Sequence, residues 1–428
     1  MKSRVLMFAT AMTLLVVLAM PLLLAAQQQH NKKLPHYTVT VLGTLGGTFS
    51  QSGGLNNRGS IAGFSALLGD QTVHAFLWRN GMFTDLGTLG GPNSFTSEDV
   101  PLNDRGAVTG YSDTSTPDPN GEDVCGDGNN LICLPFIWQK GVMTPLPLLG
   151  GNNGIANEIN NRGQVVGQSE TSSLDPCSIY LLRVEGALWE NGRVQELPPF
   201  PGDPDSVANA INDNGEAVGG SGCATGNIRA VLWHNGTVID LGNLGGATGN
   251  VAFDINNRGQ VVGQSDIAGD TTHHAFLWTR DDGMLDLGTL YGLPVSLANA
   301  INDEGQVVGF SQDLNSNNTV ASLWQDGVLT DLNTLIPPNS PLFLIEALGI
   351  NNRGQIAGYA LLSNGEVHGY LLTPCGEGDE GCGKDEGENG VPQPSPEVRN
   401  VSSPTLPRSP MLRMNRYRFP GLAIGPRN

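Results

Sequence analysis

Basic residues are scarce in this chain: 22 Arg and Lys stand against 41 Asp and Glu, a formal net charge of −19. The deficit is concentrated. Between residues 35 and 373 there are 11 bases and 34 acids, a net of 11 − 34 = −23. Such a body repels phosphate backbones and anionic headgroups, so no nucleic acid partner is expected. The ordinary role of an acidic surface is solubility. Long apolar runs are missing after residue 24, and none approaches the roughly 18 residues a spanning helix needs. Catalytic signatures are missing as well, with no G-x-S-x-G, H-E-x-x-H or Walker sequence. Glycosidase carboxylate pairs cannot be singled out among 34 acids. No catalytic residue is nominated, and the reading leans away from an enzyme.

What the chain has in quantity is glycine, 58 residues of it, and a stretch that keeps returning. Residues 255–265 read I-N-N-R-G-Q-V-V-G-Q-S. Close copies centre on Gly59, Gly106, Gly163, Gly215, Gly305 and Gly354, seven with Gly259, at intervals of 44 to 57 residues. Self-similarity at that period points to a solenoid or a propeller. Within one period, S-L-A-N-A-I (296–301) and Q-V-V-G-F-S (306–311) read as strands around the turn Asn302-Asp303-Glu304-Gly305. Asn and Asp bond their own backbone there, and Gly takes the positive φ of a tight hairpin. A third strand, V-A-S-L-W (320–324), and a fourth, V-L-T-D-L-N-T-L (328–335), follow across Gln325-Asp326-Gly327. Each repeat is thus expected to be a four-stranded antiparallel sheet. All six tryptophans end third strands, at Trp78, Trp138, Trp189, Trp233, Trp278 and Trp324, which predicts packing between neighbouring sheets.

Fourth strands are expected to end at Leu89, Leu149, Leu197, Leu244, Leu290 and Leu335, one fewer than the repeats. The seventh repeat stops after its third strand, 369–372, and runs into Pro374. The missing strand stands at the other end of the chain, where residues 37–45 (Y-T-V-T-V-L-G-T-L) match the fourth-strand pattern. Pairing the two ends would close a ring and remove an exposed edge. The expected fold is all-β, a seven-bladed β-propeller of four-stranded antiparallel blades, its last blade closed by the N-terminal strand.

Ahead of it, Lys2 and Arg4, an apolar run over 5–24 and Ala25-Ala26 read as a secretory signal peptide over 1–26, with an uncleaved membrane anchor as the alternative. Residues 27–36 are a linker and 37–373 the repeat array. Residues 374–428 are Gly- and acid-rich, then Pro- and Arg-rich, and are expected to be disordered. The protein is placed outside the cell or in a periplasm, as a monomer. Six cysteines suit an oxidising compartment. Loop membership and matching repeat positions favour Cys125–Cys133, Cys177–Cys223 and Cys375–Cys382 among the possible pairings.

The combination of I-N-N-R-G-Q-V-V-G-Q-S, H-A-F-L-W (274–278) and D-L-G-T-L (286–290) resembles the HAF-type extracellular repeat family over roughly residues 37–373. The resemblance implies a bacterial exported protein and brings no catalytic residues with it. His74, His274 and His368 keep the histidine for which the family is named; four repeats replace it.

Function is sought where loops vary on a rigid scaffold. The second-to-third connections are long in repeats two and three, over 113–133 and 170–185, and short over 222–227 in repeat four. That rim nominates Asp113, Asp118, Asn120, Glu122, Asp123, Asp127, Glu170 and Asp175 as ligand-binding. Asp118, Asn120, Glu122 and Asp123 are the residue types of a calcium shell, without EF-hand spacing; no other cofactor is called for. The reading is an exported binding module that shows its loops to a glycan, wall polymer or protein. Its alternative is a secreted polysaccharide hydrolase or lyase, by analogy of fold alone.

Overall fold

Every copy of the recurring stretch forms the same locked turn. In repeat five the Asn256 side-chain oxygen accepts from the backbone N–H groups of Arg258 and Gln260, each at 3.0 Å. Gly259 N–H donates back to Asn256 O, also at 3.0 Å. All seven turn glycines have φ between 71° and 88°, a region where a Cβ is strained, which is why this place reads Gly in every repeat. The computed structural model describes residues 34–97, 100–175, 181–223, 226–314, 316 and 318–376. The chain divides into Met1–His36 and Tyr37–Asn428, and the strands all lie in the second unit. The leader expected over 1–26 and the tail from residue 377 lie outside the described residues. Among those residues no helix is long and apolar enough to cross a membrane.

The turns join strands into repeated four-stranded antiparallel sheets. Repeat five runs Val251–Ile255, Val261–Asp266, His273–Thr279 and Gly283–Asp286, each paired with the next. Repeats two to six each form such a sheet by themselves. In repeat seven, Leu342–Ile350, Ile356–Leu362 and Val367–Pro374 pair in order, and Tyr37–Gly43 adds antiparallel to the last, Val39 opposite Leu372. A single parallel bridge, Phe49 to Val367, links these strands to repeat one in an eight-stranded sheet. That bridge departs from the expectation of wholly separate sheets. It arises where Gly46–Leu55 runs close to the seventh repeat: Gly369 N–H donates to Ser50 Oγ at 3.0 Å, and Ser52 Oγ donates to Gly358 O at 2.5 Å.

Fourth strands are shorter than expected. They end at Asp85, Pro145, Asp240, Asp286 and Asp331 rather than at the leucines four residues on, and only Leu197 is reached. The reason is local. Asp85, Asp240 and Asp286 each accept the N–H of the glycine two residues later, which bends the chain out of the ladder.

Tryptophan packs where the sequence placed it, against the preceding repeat. Trp78 lies with Ala357 and Leu371 of repeat seven, Trp138 with Ala62 and Ala75, and Trp189 with Ala107. Trp233, Trp278 and Trp324 continue the series against Val166, Ala210 and Val262. The indole N–H of Trp189 donates to Pro147 O at 2.6 Å and that of Trp233 to Pro198 O at 2.7 Å, both in the preceding repeat.

A second tie runs through the turns. The Asn56 amide donates to Asn103 O, Asn103 to Asn160 O, then on through Asn212, Asn256, Asn302 and Asn351, whose amide donates to Asn56 O. These seven bonds measure 2.9 to 3.2 Å and return to their starting residue. Each neighbouring residue repeats the circuit: Asn57, Asp104, Asn161, Asp213, Asn257, Asp303 and Asn352 each donate the backbone N–H to the side-chain oxygen of the corresponding residue in the next repeat, Asn352 to Asn57. So the first Asn of the motif locks its own turn with its oxygen and holds the next repeat with its amide. Asn212 makes four such bonds, two to its own turn, one to Glu216 and one to Asn256 O. At roughly 1 kcal/mol per bond, Asn212→Ala should lower stability by about 3 kcal/mol or more, measured by urea unfolding. A loss below about 1 kcal/mol would mean that the circuit adds nothing to stability.

Candidate binding rim

On one face of the sheets lie the second-to-third connections and the passages between repeats; their backbone N–H groups have no ladder partner and need acceptors. Acids supply them. Asp70 accepts from Thr48 N–H at 2.8 Å and Asp270 from Ala247 N–H at 2.6 Å. Much of the acidity of this face therefore has a structural use that composition alone does not reveal.

In repeats two and three the same task falls to the long loops. Glu170, almost fully buried, accepts from Asn152 N–H and Asn153 N–H, each at 3.0 Å, and from the Asn153 amide at 3.2 Å. That amide also donates to Asp118 Oδ2 at 2.9 Å, and Asn153 Oδ1 accepts from Cys133 N–H at 2.8 Å. Glu122 Oε1 accepts from Leu181 N–H at 2.5 Å. One asparagine thus ties Asp118 of the second repeat to Glu170 of the third. Asp113 and Asp127 form a second group: the Asn93 amide donates to Asp127 at 2.7 Å and to Asp113 at 3.3 Å, and the Asn129 amide to Asp113 at 3.4 Å. Cys125 and Cys133 form the expected disulfide within this loop, with Cys133 opposite Asp113 in register. Cys223 and Cys375 are disulfide-bonded too; Cys177 and Cys382, expected as their partners, lie outside the described residues.

Among the described residues no group of three or more His, Cys, Asp or Glu is arranged to hold a metal ion. The oxygens nominated for calcium are occupied by N–H donors. Asp118 Oδ1 accepts from Asn120 N–H and Glu122 N–H, Asp123 accepts from Asp127 N–H and Gly128 N–H, and the Asn120 amide donates to Glu122. Cations and N–H groups compete for the same lone pairs, and local turn geometry takes them first.

Burial dominates the electrostatics. Asp113 has no exposed surface, and burial together with the carboxyl of Asp127 raises its pKa to about 8. Asp123 and Glu170 are raised by burial against the N–H bonds that oppose it. Burial and Glu196 raise Glu185 to about 7; burial and Asp175 raise Asp205 to about 7.

Of the eight nominated residues, Asp118, Asn120, Glu122 and Glu170 share the Asn153 network, and Asp113, Asp123 and Asp127 surround the disulfide. Asp175 lies apart, near Asp205. Asn93, Asn153, Glu185 and Asp205 were not nominated. Asn93 and Asn153 stand in matching first-strand places in the two repeats with long loops, a signal that aligning the repeats displays.

A concavity lies on the opposite face, within the ring of turns. It has a volume of about 120 Å³ and is lined by Asp104, Asp213, Asp303, Glu158 and Asp254, with Asn, Ile, Leu and Val for the rest. Its carboxylates are engaged: Asp104 holds the N–H and amide of Asn57, Asp213 those of Asn161 and Asp303 those of Asn257.

No family profile matches this chain, and no curated protein matches it in sequence. Solved structures resemble it in shape. The β-propeller domain of the Trilobed protease from Pyrococcus furiosus has 8% identity and a TM-score of 0.43, over 78% of this chain and 100% of that one. The SapL1 lectin, solved with alpha methyl fucoside, has 11% identity and a TM-score of 0.33 over 67% and 97%. Trypanosoma rangeli sialidase, solved with sialic acid, has 9% and 0.36 over 80% and 60%. All three TM-scores lie below 0.5, so none of these likenesses bears on what this chain binds or does.

Proposed function

We propose that this chain is an exported, non-enzymatic binding module of the HAF-repeat kind. Its scaffold is a closed seven-bladed β-propeller whose last blade is completed by the N-terminal strand, and its working face is the rim of loops 113–133 and 170–185. The asparagine circuit supports closure, because its seventh bond returns to Asn56. The disulfide supports export. One observation carries the binding role: Asn153 joins the cross-linked loop of repeat two to the loop of repeat three. Asp118 and Glu170, one from each long connection, are therefore held together before any partner arrives, which lowers the ordering cost of binding. The partner is a glycan, a wall polymer or a protein.

The enzymatic alternative, a polysaccharide hydrolase or lyase, needs two carboxyl groups facing one cleft. Five acids line the central cavity, and each already accepts from backbone or asparagine N–H groups, Glu158 from Ile211 and Asp254 from Ile301 among them; Asp113 and Glu185, whose pKa values burial raises, lie outside it.

A glycan-array screen, with product analysis on every sugar that binds, tests the reading. Exchanging both long loops for the short connection of repeat four should leave the chain folded, at some cost in melting temperature, and reduce binding at least tenfold. Undiminished binding with the fold intact would put the site elsewhere, and released products would favour the enzyme.

A further inference from the structure

In four repeats the residue four places before the third-strand tryptophan faces an acid on the fourth strand. His74 Nδ1 lies 2.9 Å from Asp85, His274 Nδ1 2.9 Å from Asp286, and Arg229 Nη1 3.1 Å from Asp240. The register is the same throughout: Phe76, Phe276 and Val231, two residues beyond each base, pair with those acids. In repeat three Ala187 pairs with Glu196, and the residue two places before it is Glu185. There an acid stands at the position that holds a base in the other three, and the nearest base is Arg183, two residues earlier on the same strand.

Its surroundings add charge of the same sign. Asp205, from the first strand of repeat four, accepts the N–H of Val184. It is 7% exposed, and its Oδ1 has no hydrogen-bond partner among the described residues. Asp175 bears on Asp205 in turn. Arg183 is the base that bears on both Glu185 and Asp205. Its Nη2 lies 2.7 Å from Glu185 Oε1, and its Nε donates to Pro204 O. Four acids thus face one guanidinium, and a buried carboxylate oxygen lacks a donor.

We propose that this slot is a binding site for one cationic group, an ammonium or guanidinium, taking the place that His74, His274 and Arg229 fill in their own repeats. The way in is from the fourth strand, where Glu196 is exposed. Without a ligand the slot holds protons instead, in accord with values near 7 for Glu185 and Asp205. Proton and cation compete for the same oxygens, so binding strengthens as pH rises through 7. The site lies at the end of loop 170–185 and shares Asp175 and Glu185 with the proposed rim, but it uses no residue of the Asn153 network and stands without it.

The test uses the full, oxidised chain with butylammonium and butylguanidinium as probes and butanol as the uncharged control. The readout is the carboxyl carbon shifts of labelled glutamate, with melting temperature as the control for folding. Both cations should saturate the Glu185 and Glu196 signals in the millimolar range at pH 8 and bind about tenfold more weakly at pH 6. Glu185→His, which restores the arrangement of the sister repeats, should keep the fold and lose binding at least tenfold. Should that variant fail to fold, Glu196→Gln at the exposed position gives the same test. Equal titration of wild type and variant, an equal response to butanol, or no saturable shift at pH 8 would overturn the proposal.

Discussion

A chain from which residues 37–45 have been removed is expected to aggregate on expression, or to melt on the order of 10 °C below the full chain. Tyr37 and Leu42 are 1% and 4% exposed, and Leu42 packs with Leu371, Ala357 and Trp78. Returning those two side chains to water costs about 5 kcal/mol. In a domain of this size that corresponds to roughly 2 °C per kcal/mol. The backbone effect is additional. Val367–Pro374 would keep Ile356–Leu362 on one side but lose its antiparallel partner on the other, and would present an unpaired edge to other chains. Thermal unfolding followed by circular dichroism, with light scattering for aggregation, decides the matter. If the truncated chain stays monomeric and melts with the full one, the two ends do not hold each other.

Stability is expected to fall as pH rises from 5 to 9, opposite to the usual behaviour of paired carboxylates. Asp113, Glu170, Glu185 and Asp205 have raised pKa values in the folded chain, chiefly through burial. The folded state therefore keeps protons that the unfolded chain releases near pH 4. The stabilisation is complete below about pH 4 and is lost as pH climbs through about 7 for Glu185 and Asp205 and about 8 for Asp113. A tenfold difference in proton affinity between the folded and unfolded chain is worth about 1.4 kcal/mol. Asp113 alone therefore carries an upper limit on the order of 5 kcal/mol, which water entry will reduce. A drop of about 10 °C in melting temperature between pH 5 and pH 9 is the expected scale. Asp113→Asn keeps the shape of the protonated acid. It should melt within a few degrees of wild type at pH 5 and clearly above it at pH 9. A flat or rising profile, or a variant that tracks wild type throughout, would show that these acids ionise freely in the folded chain.

Much of the architecture could be read because it is written in local chemistry and written repeatedly. An Asn that bonds its own turn, a Gly that needs positive φ and strands of apolar residues act within a few positions, and each recurs in every repeat. Periodicity turned weak local signals into a strong one, and the third-strand tryptophans followed from it. Cys125 and Cys133 were legible because they stand eight positions apart in one loop. The over-long fourth strands show the limit of such reading: D-L-G-T-L looks extended, but Asp caps its own glycine and ends the ladder.

Folding alone decided the rest. Nothing in N-N-R-G says that the first Asn reaches into the next repeat, since its neighbour lies 44 to 57 residues away. Only stacking places Asn351 beside Asn56. The acids illustrate the same limit at the candidate site. By sequence, Asp118 and Asp123 look like metal ligands and Glu185 looks like any other acid. The tertiary structure commits the first two to backbone N–H groups, and it buries Glu185 and Asp205 against each other where the sister repeats keep a base. A carboxylate's role depends on which donors lie within about 3 Å of it. For turns and strands those donors come from neighbouring residues, whereas for these acids they come from elements that meet only when the sheets pack.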